Sequence, residues 1–209
     1  TDDDVHDRLP VLAGGGNFAW QHGTTTREEV LYWNESLHEQ VRISHACCPT
    51  DEYSNTNPTA DDFTVVFESW HWAGSGDRAA VHRWDGTLEN ITDEVDGRFG
   101  RNFSLDAGTL AYEWGAGTPM IRYWDGATVY DVAPGYAPSL DGGWVAYEAY
   151  DGGDWEIHLW DGTNVVQITD NDFDDTDPSL HGDRLAWTGR SDGMDHIFFA
   201  KLPPRDAAR

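Results

Sequence analysis

Pro138-Ser-Leu-Asp-Gly-Gly-Trp-Val-Ala-Tyr147 recurs 40 residues on as Pro178-Ser-Leu-His-Gly-Asp-Arg-Leu-Ala-Trp187. Behind the first copy run Asp151-Gly-Gly-Asp-Trp-Glu-Ile-His-Leu-Trp160-Asp-Gly-Thr163 and Val165-Val-Gln-Ile-Thr169, and behind the second runs Asp192-Gly-Met-Asp-His-Ile-Phe-Phe199. Self-similarity of this kind decides architecture before any single residue does. Three further copies follow from the landmarks. Units open at Pro10, Pro58, Phe103, Pro138 and Pro178. Each carries a hydrophobic-small-aromatic run, Phe18-Ala19-Trp20, Val65-Val66-Phe67, Leu110-Ala111-Tyr112, Val145-Ala146-Tyr147 or Leu185-Ala186-Trp187. Each closes on an aromatic, at Trp33, Trp84, Trp124, Trp160 and Phe199, followed by Asp-Gly in the middle three.

Short β-type runs separated by Gly, Asp, Asn and Pro, with no sustained helical period, predict four strands per unit. In the clearest copy these are A (Pro138 to Leu140), B (Trp144 to Tyr147), C (Glu156 to Trp160) and D (Val165 to Ile168). The Asp-Gly between C and D reads as a type I′ hairpin. A meander of this size cannot bury its faces alone, so the copies must stack. The expected fold is all-β: a single five-bladed β-propeller over residues 1–209 with four-stranded antiparallel blades near 1–44, 45–92, 93–133, 134–169 and 170–203. D strands are offered by Val41 to Ser44, Leu88 to Thr92, Val129 to Ala133 and Val165 to Thr169. After Phe199 the chain runs Lys201-Leu-Pro-Pro-Arg, poor ladder material, so the last blade is expected to have three strands and a bare C-strand edge.

Composition narrows the function. The 38 acidic and 13 basic residues give a formal charge of -25, and Lys201 is the only lysine. Such a field repels phosphates, which disfavours nucleic acid and anionic membranes and favours cations and basic partners. The 11 Trp, 8 Tyr and 8 Phe supply enough aromatic area for a core, which argues against disorder. No apolar run is long enough to span a bilayer, and Thr1-Asp-Asp-Asp4 lacks the features of a signal peptide, so the sequence reads as a mature, soluble segment.

The Pro-Ser-Leu-Asp-Gly start, the Ala-Trp or Ala-Tyr strand end and Trp-Asp-Gly before an Ile-Thr strand resemble the TolB-like β-propeller repeat, most closely over residues 134–200 and less so over 84–133. In residues 1–83 Asn34 replaces the Asp and the loops lengthen. The resemblance implies an extracytoplasmic (periplasmic or secreted) binding or scaffold module after signal-peptide removal, with no catalytic motif to carry over. TolB-like domains usually have more blades, which leaves open a true five-bladed ring or a piece of a larger propeller.

In propellers the D–A and B–C loops share one face. Here they combine acidic runs with the out-of-register aromatics Trp70, Trp72, Trp114, Tyr150 and Trp155, a candidate surface for a protein partner or a sugar. For Trp70-His71-Trp72, inter-blade packing is the competing explanation. Asp170, Asp172 and Asp174 alternate in a spacing suited to calcium, without the glycine and distal Glu of an EF-hand; no cofactor is required, and the alternative is a solvated acidic turn. Adjacent Cys47 and Cys48 admit a vicinal disulfide, two thiols or a cross-link, and with His45, Asp51 and Glu52 form a weak transition-metal candidate. No hydrolase, P-loop or dinucleotide motif is present. The leading expectation is therefore a non-catalytic subunit of a larger complex that binds protein partners through its acidic aromatic face or the open edge of the last blade. A five-bladed lectin is second and a five-bladed glycosidase third.

Overall fold

The computed structural model describes residues 6–24, 27–44, 53–62, 64–73, 76–92, 95–96 and 100–205. Blade one comprises β1 (His6–Leu12), β2 (Phe18–Thr24), β3 (Arg27–Asn34) and β4 (Glu39–Arg42). Blade two comprises β5 (Tyr53–Asp61), β6 (Thr64–Ala73), β7 (Gly76–Trp84) and β8 (Leu88–Asn90), with β9 (Val95–Asp96) pairing further along β7. Blade three is β10 (Gly100–Asp106), β11 (Thr109–Trp114), β12 (Met120–Trp124) and β13 (Val129–Pro134). Blade four is β14 (Tyr136–Asp141), β15 (Trp144–Tyr150), β16 (Trp155–Trp160) and β17 (Val165–Gln167), and blade five is β18 (Asp175–His181), β19 (Arg184–Ser191) and β20 (Met194–Lys201). All pairings are antiparallel meanders, and the last sheet has three strands, as its sequence predicts.

Three sequence assignments need correction. The unit-opening prolines mark a bulge inside the first strand rather than its start. Leu9, Asn57, Asn102, Ala137 and Asp177, each just before that landmark, have φ between 48° and 54°, and the strand register shifts there in every blade. Proline lacks the ladder N–H and therefore suits a bulge. The Asp-Gly loops between C and D are not two-residue type I′ turns. Asp125 and Asp161 open four-residue loops between the pairs Trp124–Val129 and Trp160–Val165. Their carboxylates accept the amides of Ala127 and Thr128, and of Thr163 and Asn164, at 2.7–2.9 Å. Adjacent positive-φ pairs sit instead in the A–B links, at Ala107-Gly108 and Gly142-Gly143, and in the two-residue B–C turn Asp192-Gly193 between the paired Ser191 and Met194.

The third correction concerns Phe199. Val145 pairs with Trp160, but its counterpart Leu185 pairs with Ala200. Phe199 is therefore the counterpart of Leu159, and one residue of slip sends its side chain to the opposite face. The other closing aromatics behave as the repeat requires. Trp84, Trp124 and Trp160 each take a side chain from the preceding blade: Tyr32 on Trp84 at 4.6 Å, the Arg83 guanidinium over Trp124 at 5.7 Å, and Tyr123 on Trp160 at 5.1 Å, whereas Trp33 of blade one stacks on Phe18 of its own sheet.

Blades stack in chain order, the first strand of each lying on the strands of the one before. A polar link repeats at each interface. The residue after the hydrophobic-small-aromatic run is Gln21, Glu68, Glu113 or Glu148, and it accepts a backbone amide from the next blade's first strand. The donors are Asn57 at 3.4 Å, Gly100, Ala137 at 2.8 Å and Asp177 at 3.0 Å. A second link joins Ser104 Oγ to the Leu140 amide and Ser139 Oγ to the Leu180 amide, both 2.9 Å.

The two ends of the stack differ from its middle. Leu140 and Leu180 are buried against the preceding blade, whereas their counterpart Leu12 is 83% exposed. Ile157 and Leu159 are buried beneath blade five, whereas their counterparts Ile197 and Phe199 are 75% and 80% exposed. Among the described residues, blade five makes no packing with blade one comparable to that between chain neighbours.

Glu68 shows what the polar link costs. Burial pushes its carboxyl up to about 7, against hydrogen bonds from Trp70, Gly100, Asn57 and Thr56. A folded-state pKa above the unfolded one means this group's contribution is complete below about pH 4.5 and is lost as pH rises through about 7. Glu68→Gln, which imitates Gln21 in blade one, is expected to stabilise the fold at pH 8 by on the order of 3 kcal/mol, with the gain vanishing toward pH 4.5. Urea titrations of both proteins across that range check the sign.

Candidate functional site

Loop residues of blades three to five meet on one face. Trp155 packs edge-on against Tyr136 at 5.3 Å and against Tyr150 at 5.6 Å. The hydroxyl of Tyr136 donates to the Gly117 carbonyl and that of Tyr150 to the Gly153 carbonyl, both turned onto backbone. Trp155 donates its amide to Asp174 at 3.2 Å, which joins the blade-four B–C loop to the D–A segment entering blade five. The expected meeting of these two loop types thus occurs here.

Carboxylates surround this aromatic cluster. Oxygens of Asp151, Glu156 and Asp170 lie within 4.8 Å of one another. Asp151 is held below its ordinary pKa, chiefly by the amides of Gly153 and Asp154. Loss of solvation, then the charges of Glu156, Asp151, Asp174 and Asp172, hold Asp154 above its ordinary value. Asp170, Asp172 and Asp174 do not converge as a triad. Asp170 turns to Asp151 and Glu156, while Asp174 holds the Trp155 amide. Asx and loop geometry, invisible in the alternating spacing, decides this.

The remaining expected site residues separate. Trp114 is 3% exposed, edge-on to Tyr112 at 6.3 Å with the Arg122 guanidinium 5.2 Å from its ring, so it packs the blade and presents no binding surface. Trp70 is half-buried at the counterpart position of Tyr150 and hydrogen-bonds Glu68. The side chain of Trp72 lies outside the described residues, as do Cys47 and Cys48 with His45, Asp51 and Glu52. Trp155 has Ala79 and Asp195 as counterparts in blades two and five, so the aromatic set is not repeated around the fold.

A cavity of about 450 Å³ opens between the first strands of blades one to three, lined by Leu9, Pro10, Asn57, Pro58, Arg101 and Asn102 among others. Its lining includes three of the bulge residues. Beneath it the buried Glu113 accepts from Arg101 Nε at 2.6 Å, Asn102 Nδ2 at 2.5 Å and the Ala137 amide. Sequence reasoning missed this carboxylate series, although its signal was present as an acidic or amide residue at one fixed position after the aromatic in four copies. One buried Ser–His contact, Ser69 Oγ to His82 Nε2 at 2.8 Å, is closed off: burial lowers His82 to about 4, and its Nδ1 has no partner among the described residues.

No protein-family model and no curated protein matches the chain. Solved structures share its fold. The β-propeller domain of the trilobed protease from Pyrococcus furiosus, described as having an open velcro topology, aligns with TM-score 0.67 at 10% identity over 97% of this chain and 71% of that one. A prolyl endopeptidase aligns with TM-score 0.67 at 11% identity over 95% of this chain and 33% of that one. TolB from Acinetobacter baumannii aligns with TM-score 0.53 at 14% identity over 96% and 53%. The chain thus spans about a third of the peptidase and about half of TolB.

Glu113→Ala removes the acceptor that the Ala137 amide, Asn102 Nδ2 and Arg101 Nε share, and is expected to cost about 1–3 kcal/mol. Leu12→Ala, at an exposed position, should stay within about 0.5 kcal/mol. Chemical denaturation of the two variants side by side tests whether the inter-blade carboxylates carry the stack.

Proposed function

We propose that this chain is a non-catalytic binding module that holds a protein partner on the trailing face and free edge of its last blade, in an extracytoplasmic assembly. The observation that carries the reading is the exposure of Ile197 and Phe199 at positions whose counterparts, Ile157 and Leu159, are buried by a following blade. Met194 extends the same strand and is 60% exposed. After β20 the chain leaves the ladder: Leu202 is buried beneath blades four and five, and Arg205 binds Asp141 and the Gly182 carbonyl at 2.6 Å. The N–H and C=O groups along the outer edge of β20 therefore suit an added strand, and the apolar side chains beside them suit a sheet face. The charge of -25 favours a partner with a basic rim.

A second reading is favoured by the fraction of the peptidase chain that this chain matches. It makes the chain the propeller portion of a larger hydrolase, meeting a separate catalytic domain. The two readings differ in where the contact lies. In the first, Ile197→Ser with Phe199→Ser should lower capture of the native partner by the tagged chain at least tenfold, while Leu37→Ser, also at an exposed leucine, leaves capture unchanged. Equal capture by the two variants would overturn the assignment to β20 and favour the second.

A further inference from the structure

We propose that Asp151, Glu156 and Asp170 form a divalent-cation site of calcium type that ties the B–C loop of blade four to the segment entering blade five. Two independent observations meet there. The first is the convergence of three carboxylate oxygens within 4.8 Å, a spread no wider than two calcium–oxygen bonds. The second is Glu156 itself. It is fully buried, its Oε1 accepts the Asn171 amide at 2.9 Å, and its Oε2 has no hydrogen-bond partner among the described residues. A buried carboxylate oxygen without a donor is costly, and a neighbouring cation removes that cost.

The repeat supplies an internal comparison. The counterpart of Glu156 in blade one is Glu29, one residue before the C-strand position paired with the Gln21/Glu148 series. Glu29 is neutralised by an ion pair with Arg42. The counterpart of Arg42 in blade four is Gln167, which carries no charge. Among the described residues, no Arg or Lys pairs with Asp151, Glu156 or Asp170. Where blade one supplies its own cation, blade four leaves the place to an external one. Oxygen-only donors select a hard ion. The two aspartates are exposed on the loops beside the buried Glu156, and water would complete the six to eight ligands calcium takes.

The test uses the whole chain and terbium as a luminescent calcium substitute, with Trp155 next to Glu156 as sensitiser. Terbium emission excited through tryptophan should appear, be displaced by calcium, and fall at least fivefold in both Asp151→Asn and Asp170→Asn. Calcium at about 100 times its Kd should raise the Tm by on the order of 5 °C over chelator in the parent chain and leave both variants unmoved. Asp125→Asn, an exposed loop carboxylate outside the cluster, should behave as the parent. The proposal is overturned if calcium fails to shift the parent, if both variants keep the shift, or if magnesium at equal concentration produces the same shift, which would mark general charge screening.

Discussion

Every blade here is a sheet with two apolar faces, and only another blade can cover them. That constraint explains the regular parts of the molecule. The first strand of each blade lies across its predecessor, burying Leu140 or Leu180 on one side and Ile157 and Leu159 on the other. Apolar burial is non-directional and would tolerate sliding, so register between blades needs something directional. The amides of Asn57, Ala137 and Asp177, themselves the left-handed bulge residues, provide it and are accepted by Gln21, Glu113 or Glu148 of the blade before.

The price of that device falls on Glu68, whose carboxyl burial drives toward neutrality. Gln21 performs the same task without ionising. Retention of carboxylates at the other interfaces gives stronger hydrogen bonds where a cation is available, as Arg101 is to Glu113. The polar links and the face-to-face packing therefore depend on each other: the packing excludes water, and exclusion of water gives the links their directional strength.

At the two ends of the stack the constraint is unmet. Leu12 at the leading end and Ile197 and Phe199 at the trailing end occupy positions that are core elsewhere. The same residue types are interior or surface solely according to whether a further sheet lies over them. Irregularity is concentrated near the trailing end as well, where the loops of blade four gather carboxylates and aromatics that no other blade repeats among the described residues. Regular positions serve the stack, and departures from the repeat are where recognition has room to develop.

The fold was legible because it is written as a period. Five copies of a hydrophobic-small-aromatic strand, closing tryptophans in phase and a terminal segment unfit for a ladder determined the all-β blades and the three-stranded last sheet, since strand formation depends on local pattern. The carboxylate series was equally in phase and could have been read, because a polar residue at a fixed place beside a core strand must have a buried partner. The candidate site was not legible. Alternation at Asp170, Asp172 and Asp174 gives no direction to their side chains, and only the folded loops bring Asp170 to Asp151 and Glu156, which lie 19 and 14 residues away. The identity of the exposed faces was likewise decided by tertiary structure. Phe199 is outward because one residue of register separates it from Ala200, and because no sheet among the described residues lies over it, and neither fact is local to its sequence.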